Sequence, residues 1–170
     1  MKKKILFFTL ILIVSLTSVS CKKISNKNEN KEVILTSFTV LADIIKNIAQ
    51  DEFTVSSITK PGVEVHGYQP TPSDLVKASK AFVFIDNGFG FELWADKFVS
   101  NLEVKRITIA DELDPIFISE DLYKGKPNPH AWISPKRGML YVDIIVENLS
   151  ELKPYNREIF EKNGKLYKEK

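Results

Sequence analysis

Val33-Ile-Leu-Thr-Ser-Phe-Thr-Val-Leu-Ala-Asp-Ile-Ile-Lys-Asn-Ile-Ala-Gln-Asp-Glu-Phe-Thr-Val-Ser-Ser-Ile58 is the stretch on which the fold turns. Val33 to Thr36 is a short apolar run of strand character. Residues 40–49 place Leu41, Ile44, Ile45 and Ile48 on one face at helical spacing, and residues 53–58 alternate apolar with polar side chains. Strand, helix, strand in that order predicts a parallel pair with a right-handed crossover. The alternation continues outward. Residues 72–80 read as a short helix with Thr71 or Ser73 near its cap. Residues 81–85 form an unbroken apolar run, as a parallel strand covered on both faces requires. Residues 91–102 read as a helix and 104–109 as a fourth strand. The fold class is α/β, with a helix-flanked, mainly parallel four-stranded sheet. A long loop then leads to His130, and Ser134-Pro135 opens a helix with a favoured cap residue and first-turn proline, running to about Leu152. Pro154 stops or restarts it. Residues 155–170 look helical, with a modest apolar stripe of Ile159, Phe160, Leu166 and Tyr167 interrupted by Gly164. That stripe has no evident surface to pack on, so this helix is expected to project from the domain.

The 170 residues are 44% hydrophobic and 27% charged, enough for one domain with a real core and too few for two. This balance excludes a disordered tail and a multi-span membrane protein. The lone Cys21 excludes an intramolecular disulfide framework and a thiolate zinc knuckle. Formal net charge is +2, but residues 1–21 hold Lys2, Lys3, Lys4 and no acid; the remainder carries 21 basic against 22 acidic residues. A net charge of −1 after residue 21 does not suit a nucleic-acid partner.

Lys2 to Lys4, the apolar stretch from Ile5 to Val14, and the small residues Ser18, Val19 and Ser20 make residues 1–21 an export signal, too short for a membrane span. With Cys21 at the cleavage point it resembles a bacterial lipoprotein signal, in which Cys21 is lipidated and becomes the mature N-terminus. The usual leucine three residues before the cysteine is replaced here by Ser18. The alternative is a non-lipidated signal with a stray thiol. Residues 22–32, rich in Lys and Asn, read as a flexible tether. Together these predict an exported protein anchored through lipid on the extracytoplasmic face of a membrane.

His66 and His130 are the only two histidines. One lies in Pro61-Gly-Val-Glu-Val-His66-Gly-Tyr-Gln-Pro-Thr-Pro72, the other in Gly125-Lys-Pro-Asn-Pro-His130-Ala-Trp-Ile-Ser-Pro135. Proline stiffens both loops. Each follows a predicted strand, which puts both imidazoles beyond the carboxyl ends of parallel strands, where open α/β sheets bind ligands. Neutral imidazole is a common metal ligand, so the residues leave open a shared metal site or two hydrogen-bonded structural histidines. Glu64, Tyr68 and Trp132 are the candidate supporting partners around them; Glu64 and Tyr68 read equally well as solvent-exposed side chains, and Trp132 and Trp94 are better read as packing residues than as direct ligand contacts. Asp111, Glu112, Asp114, Glu120 and Asp121 read as a solvated acidic loop. Gly88-Phe-Gly90 lacks the third glycine of a nucleotide loop, having Leu93 in that place, and reads as a strand-to-helix turn.

The motifs Gly62…His66-Gly-Tyr-Gln-Pro-Thr-Pro-Ser-Asp74, Asn87-Gly-Phe-Gly-Phe-Glu-Leu-Trp94 and Gly125-Lys-Pro-Asn-Pro-His-Ala-Trp132 resemble the metal-binding lipoproteins of bacterial zinc, manganese and iron ABC importers. The likeness runs from Val33 to Lys170 and is nearest the manganese/iron branch. It implies two α/β lobes joined by a long helix, with the metal clamped between them. His66 and His130 match the two histidine ligands of the first lobe. Residues 33–154 would be that lobe and residues 155–170 the start of the connecting helix. The other ligands, carboxylates or in some zinc binders a further histidine, would come from a C-terminal lobe that this chain does not include. The implied cargo is Mn²⁺ or Fe²⁺, with Zn²⁺ the alternative, and the implied partner is a membrane ABC permease. A surface adhesin, a structural lipoprotein or a fragment without tight metal binding is the competing reading. No His-Glu-x-x-His pattern or third protein ligand supports a metallohydrolase, so an enzyme is not expected.

Overall fold

The computed structural model describes residues 31–100 and 102–170; the stretch expected to be an export signal, Cys21 and the expected tether as far as residue 30 lie outside the described residues. Four strands, β1 (Val33–Thr36), β2 (Thr54–Ser57), β3 (Val83–Asp86) and β4 (Lys105–Thr108), form an all-parallel sheet in the order β2-β1-β3-β4. The helices are α1 (Thr39–Ala49), α2 (Pro72–Ala78), α3 (Leu93–Val99), α4 (Pro135–Leu152) and α5 (Arg157–Lys168).

Successive strand residues point to opposite faces, and both faces are covered. Ile34, Val83, Ile85 and Ile107 join Leu41, Ile45 and Ile48 of α1 and Tyr141, Ile145 and Leu149 of α4 in the larger core. Leu35 and Phe84 pack on the other side with Ala78, Ala95, Phe98 and Val99 from α2 and α3. Each large side chain so buried contributes about 1.5–3 kcal/mol. The face of α1 expected to be buried is buried: Leu41, Ile44, Ile45 and Ile48 are all within 5% of full enclosure.

Element boundaries moved where polar groups intervene. β3 continues through Asp86, because Arg106 and Thr108 of β4 supply donors to its buried carboxylate. Helix α3 begins only at Leu93, since residues 88–90 all have positive φ and form the expected strand-to-helix turn. Thr71 caps α2 through a reciprocal box with Asp74. Ser134 precedes α4 as expected, but its hydroxyl makes no capping bond.

The last helix does not project. Phe160 of α5 is fully buried in the larger core, and Asn163 donates from Nδ2 to Ile48 O of α1 at 2.8 Å. Gly164, which looked like a break in the apolar stripe, is the contact point. A Cβ there would stand 2.5 Å from Val146 Cγ2 of α4. Only the outer part of the stripe, Ile159 and Leu166, stays exposed. Among the described residues no helix is long and apolar enough to cross a membrane.

Candidate metal centre

The carboxyl ends of β1 and β3 are neighbours in the sheet, and the chain leaves them toward opposite sides, which makes a crevice there. The loop after β2 and the loop before α4 both reach over it. In the first, Pro61-Gly62 turns the chain, with Gly62 at φ +79°, and the Glu64 carboxylate then accepts from the backbone N–H of His66 (2.8 Å) and Gly67 (2.6 Å). Those two N–H groups hold the Glu64 carboxyl below its ordinary range, Gly67 foremost. Trp94 Nε1 donates to Val65 O at 2.9 Å, fastening the same loop to α3. The Tyr68 hydroxyl bonds to Asp74, not to His66. It donates to Asp74 Oδ2 (2.8 Å) and the Tyr68 ring meets Trp94 edge to face, so Tyr68 steadies the base of the loop.

The second loop is braced from both sides. Asn128 N–H donates to Ile116 O (2.7 Å), and Asn128 Oδ1 accepts from His130 N–H (3.0 Å) and lies 3.2 Å from His130 Nδ1. An acceptor at Nδ1 selects the tautomer with its proton there and leaves the Nε2 lone pair free. Trp132 packs beside His130 with ring centroids 5.5 Å apart, as expected of a packing residue.

The two loops bring the imidazoles together. His66 Nε2 and His130 Nε2 are 3.2 Å apart, and His66 is exposed while His130 is half-buried. At the 2.0–2.1 Å of a metal–imidazole bond, this separation subtends about 100–105° at a shared ion, between a tetrahedral and an octahedral angle. Burial, with His66 adding to it, holds His130 below its ordinary value and favours the neutral, ligating form. Phe91 forms the floor, edge-on to His66 (4.7 Å between centroids) and to His130 (5.6 Å), and is itself packed on Phe38 and Trp132. Among the described residues no third His, Cys, Asp or Glu joins the pair. The acidic residues of the 111–121 loop are solvent-exposed, in line with a solvated segment. The exposed side of the pair is therefore open to further ligands from outside this lobe.

Sequence reasoning missed Asn128 and Phe91. The signal for Asn128 was its place two residues before His130 between two prolines; Phe91 carried none beyond its motif.

The sequence profile of ZnuA, the periplasmic component A of zinc-uptake complexes, matches residues 34–170. The iron-binding protein YfeA of Yersinia pestis is 39% identical over 166 residues, covering 96% of this chain and 53% of its own length. The metal ABC transporter substrate-binding lipoprotein ScbA of Streptococcus cristatus is 35% identical over 179 residues, covering 99% and 58%. The solved Mn-bound periplasmic metal-binding protein of Candidatus Liberibacter asiaticus superimposes with a TM-score of 0.75 at 38% identity, over 82% of this chain and 52% of that one. The chain thus spans about half the length of the relatives it matches.

Proposed function

This chain belongs to the ZnuA family of metal-uptake binding components, and on that premise we propose that it contributes a metal-binding lobe to an ABC importer, holding a divalent cation for delivery to a membrane permease. The observation that carries the reading is the 3.2 Å approach of His66 Nε2 to His130 Nε2 on the crevice side of the sheet. Two neutral imidazoles supply the nitrogen half of a coordination set. Carboxylates from a second lobe would complete it and offset the charge of the ion. The role is binding and release, not catalysis.

Mn²⁺ or Fe²⁺ is the cargo we propose. A mixed nitrogen and oxygen set suits both, and residues 111–129 hold no histidine to recruit zinc. Affinity for Zn²⁺ in vitro will still exceed that for Mn²⁺, because the Irving–Williams order places zinc higher. Lipid on Cys21 would keep the lobe at the extracytoplasmic membrane face, as the naming of ScbA as a lipoprotein suggests. Stable attachment needs more than one acyl chain. A Cys21→Ser variant that fractionates unchanged with membranes would overturn the anchor.

Calorimetric titration of the full chain with Zn²⁺ and Mn²⁺ tests the site. His66→Ala and His130→Ala should each abolish the measurable Zn²⁺ isotherm. Binding that survives either substitution would place the ligands elsewhere.

A further inference from the structure

The motif from Asn87 to Trp94 supplies no metal ligand, yet its first residue reaches the His130 loop from the centre of the sheet. Asn87 follows β3 directly, is fully buried, and has every polar atom partnered. Its side-chain Nδ2 donates to Pro129 O (2.9 Å) and to Gly88 O (3.0 Å), while Oδ1 accepts from Tyr141 Oη of α4 (2.7 Å). Its backbone N–H donates to Glu92 Oε1 (2.9 Å), and its carbonyl accepts from Ala110 N–H (2.8 Å). Two carbonyls and one hydroxyl around a single amide admit only this orientation, because carbonyls cannot donate.

The Pro129 carbonyl is an effective handle. Proline has no N–H, so that oxygen is its only polar attachment, and it belongs to the peptide unit that leads into His130. Asn128 fixes the rotation of the His130 ring from within the same loop, and therefore cannot set the height of the loop above the sheet. Asn87 can, because it is anchored on a central strand and on α4 at once.

We propose that Asn87 is a positioning residue of the metal centre, holding His130 through the Pro129 carbonyl at the distance from His66 that lets both imidazoles take one ion. The inference rests on the metal-binding reading above, and its test separates the two. Asn87→Leu keeps the branched outline of the side chain at a larger volume, and removes both donors and the acceptor for Tyr141 Oη. Tyr141→Phe removes a buried hydrogen bond from the same amide but leaves the bond to Pro129. Zn²⁺ titration of the full chain should show affinity falling at least tenfold in Asn87→Leu and less than threefold in Tyr141→Phe, while Tm falls in both variants and further in Asn87→Leu, which loses three buried bonds to the other's one. Asn87→Ala, which lets water reach the Pro129 carbonyl, should lie between them and serves if the leucine variant does not fold. In the metal-free chain, a nuclear Overhauser contact between the Hε1 protons of His66 and His130 should persist in Tyr141→Phe and vanish in Asn87→Leu. Zn²⁺ affinity that tracks Tm equally in both variants, or a contact retained without Asn87, overturns the positioning role. Absence of Zn²⁺ binding by the unsubstituted chain overturns the metal-binding reading, and the Overhauser contact then still decides the role of Asn87.

Discussion

His66 Nε2 and His130 Nε2 stand 3.2 Å apart across the crevice, and the Phe91 ring lies edge-on beneath both imidazoles. The contacts of the two loops hold the imidazoles at this separation, and side chains so fixed would lower the ordering cost of binding an ion.

Phe91→Leu separates packing of the site from packing of the core. A similar apolar volume should keep the loss of stability to about 1.5 kcal/mol or less. The flat edge against both imidazoles is lost, so Zn²⁺ affinity should fall several-fold. Denaturant unfolding and calorimetry together check this, and an unchanged Kd would show that the ring does not hold the histidines.

Glu92 should make the fold sensitive to pH. It is 4% exposed, and burial pushes its carboxyl up from 4.5 to about 7, with Asp86 adding to the push, although Ser37, Asn87 and Gly88 all donate to it. The folded state then holds a proton that the unfolded chain releases near pH 4.5, so raising the pH removes stability. The loss should run from about pH 4.5 to 8 and reach about 3 kcal/mol. Tm measured against pH should decline across that window, and Glu92→Gln should flatten the slope. An equal slope in both proteins would refute the assignment.

Gly164→Ala should destabilise the chain by about 1–3 kcal/mol, because the new methyl meets Val146 Cγ2 at 2.5 Å. Val146→Ala in the same molecule should recover most of the loss. Unfolding energies from the double-mutant cycle would show the coupling; additive effects would mean that α5 does not press on α4 at this point.

Arg106 donates to the fully enclosed Asp86 from two nitrogens and to Asp96 Oδ1 at 2.6 Å. Arg106→Met leaves the Asp86 carboxylate buried with only the Thr108 hydroxyl, and should cost about 3 kcal/mol. Adding Asp86→Asn should return part of that. Urea midpoints decide it, and a neutral Arg106→Met would show that the ion pair contributes nothing net.

Much was legible along the chain because it is local. Apolar spacing announced α1 and its buried face, the apolar run announced β3, and prolines with flanking polar residues marked the histidine loops and the ends of α4. An all-parallel sheet followed from the order of elements, since a helix between strands forces a crossover. Pairings between distant residues were not legible, because nothing in local spacing encodes which surfaces meet. That Asn128 braces His130, that Phe91 supports both imidazoles, and that Tyr68 serves Asp74 instead of His66 emerged only when the loops converged. Gly164 shows the physical reason most plainly. Read along the helix, a glycine weakens an apolar stripe; read across to Val146, it is the absence of a side chain that lets α5 close on α4.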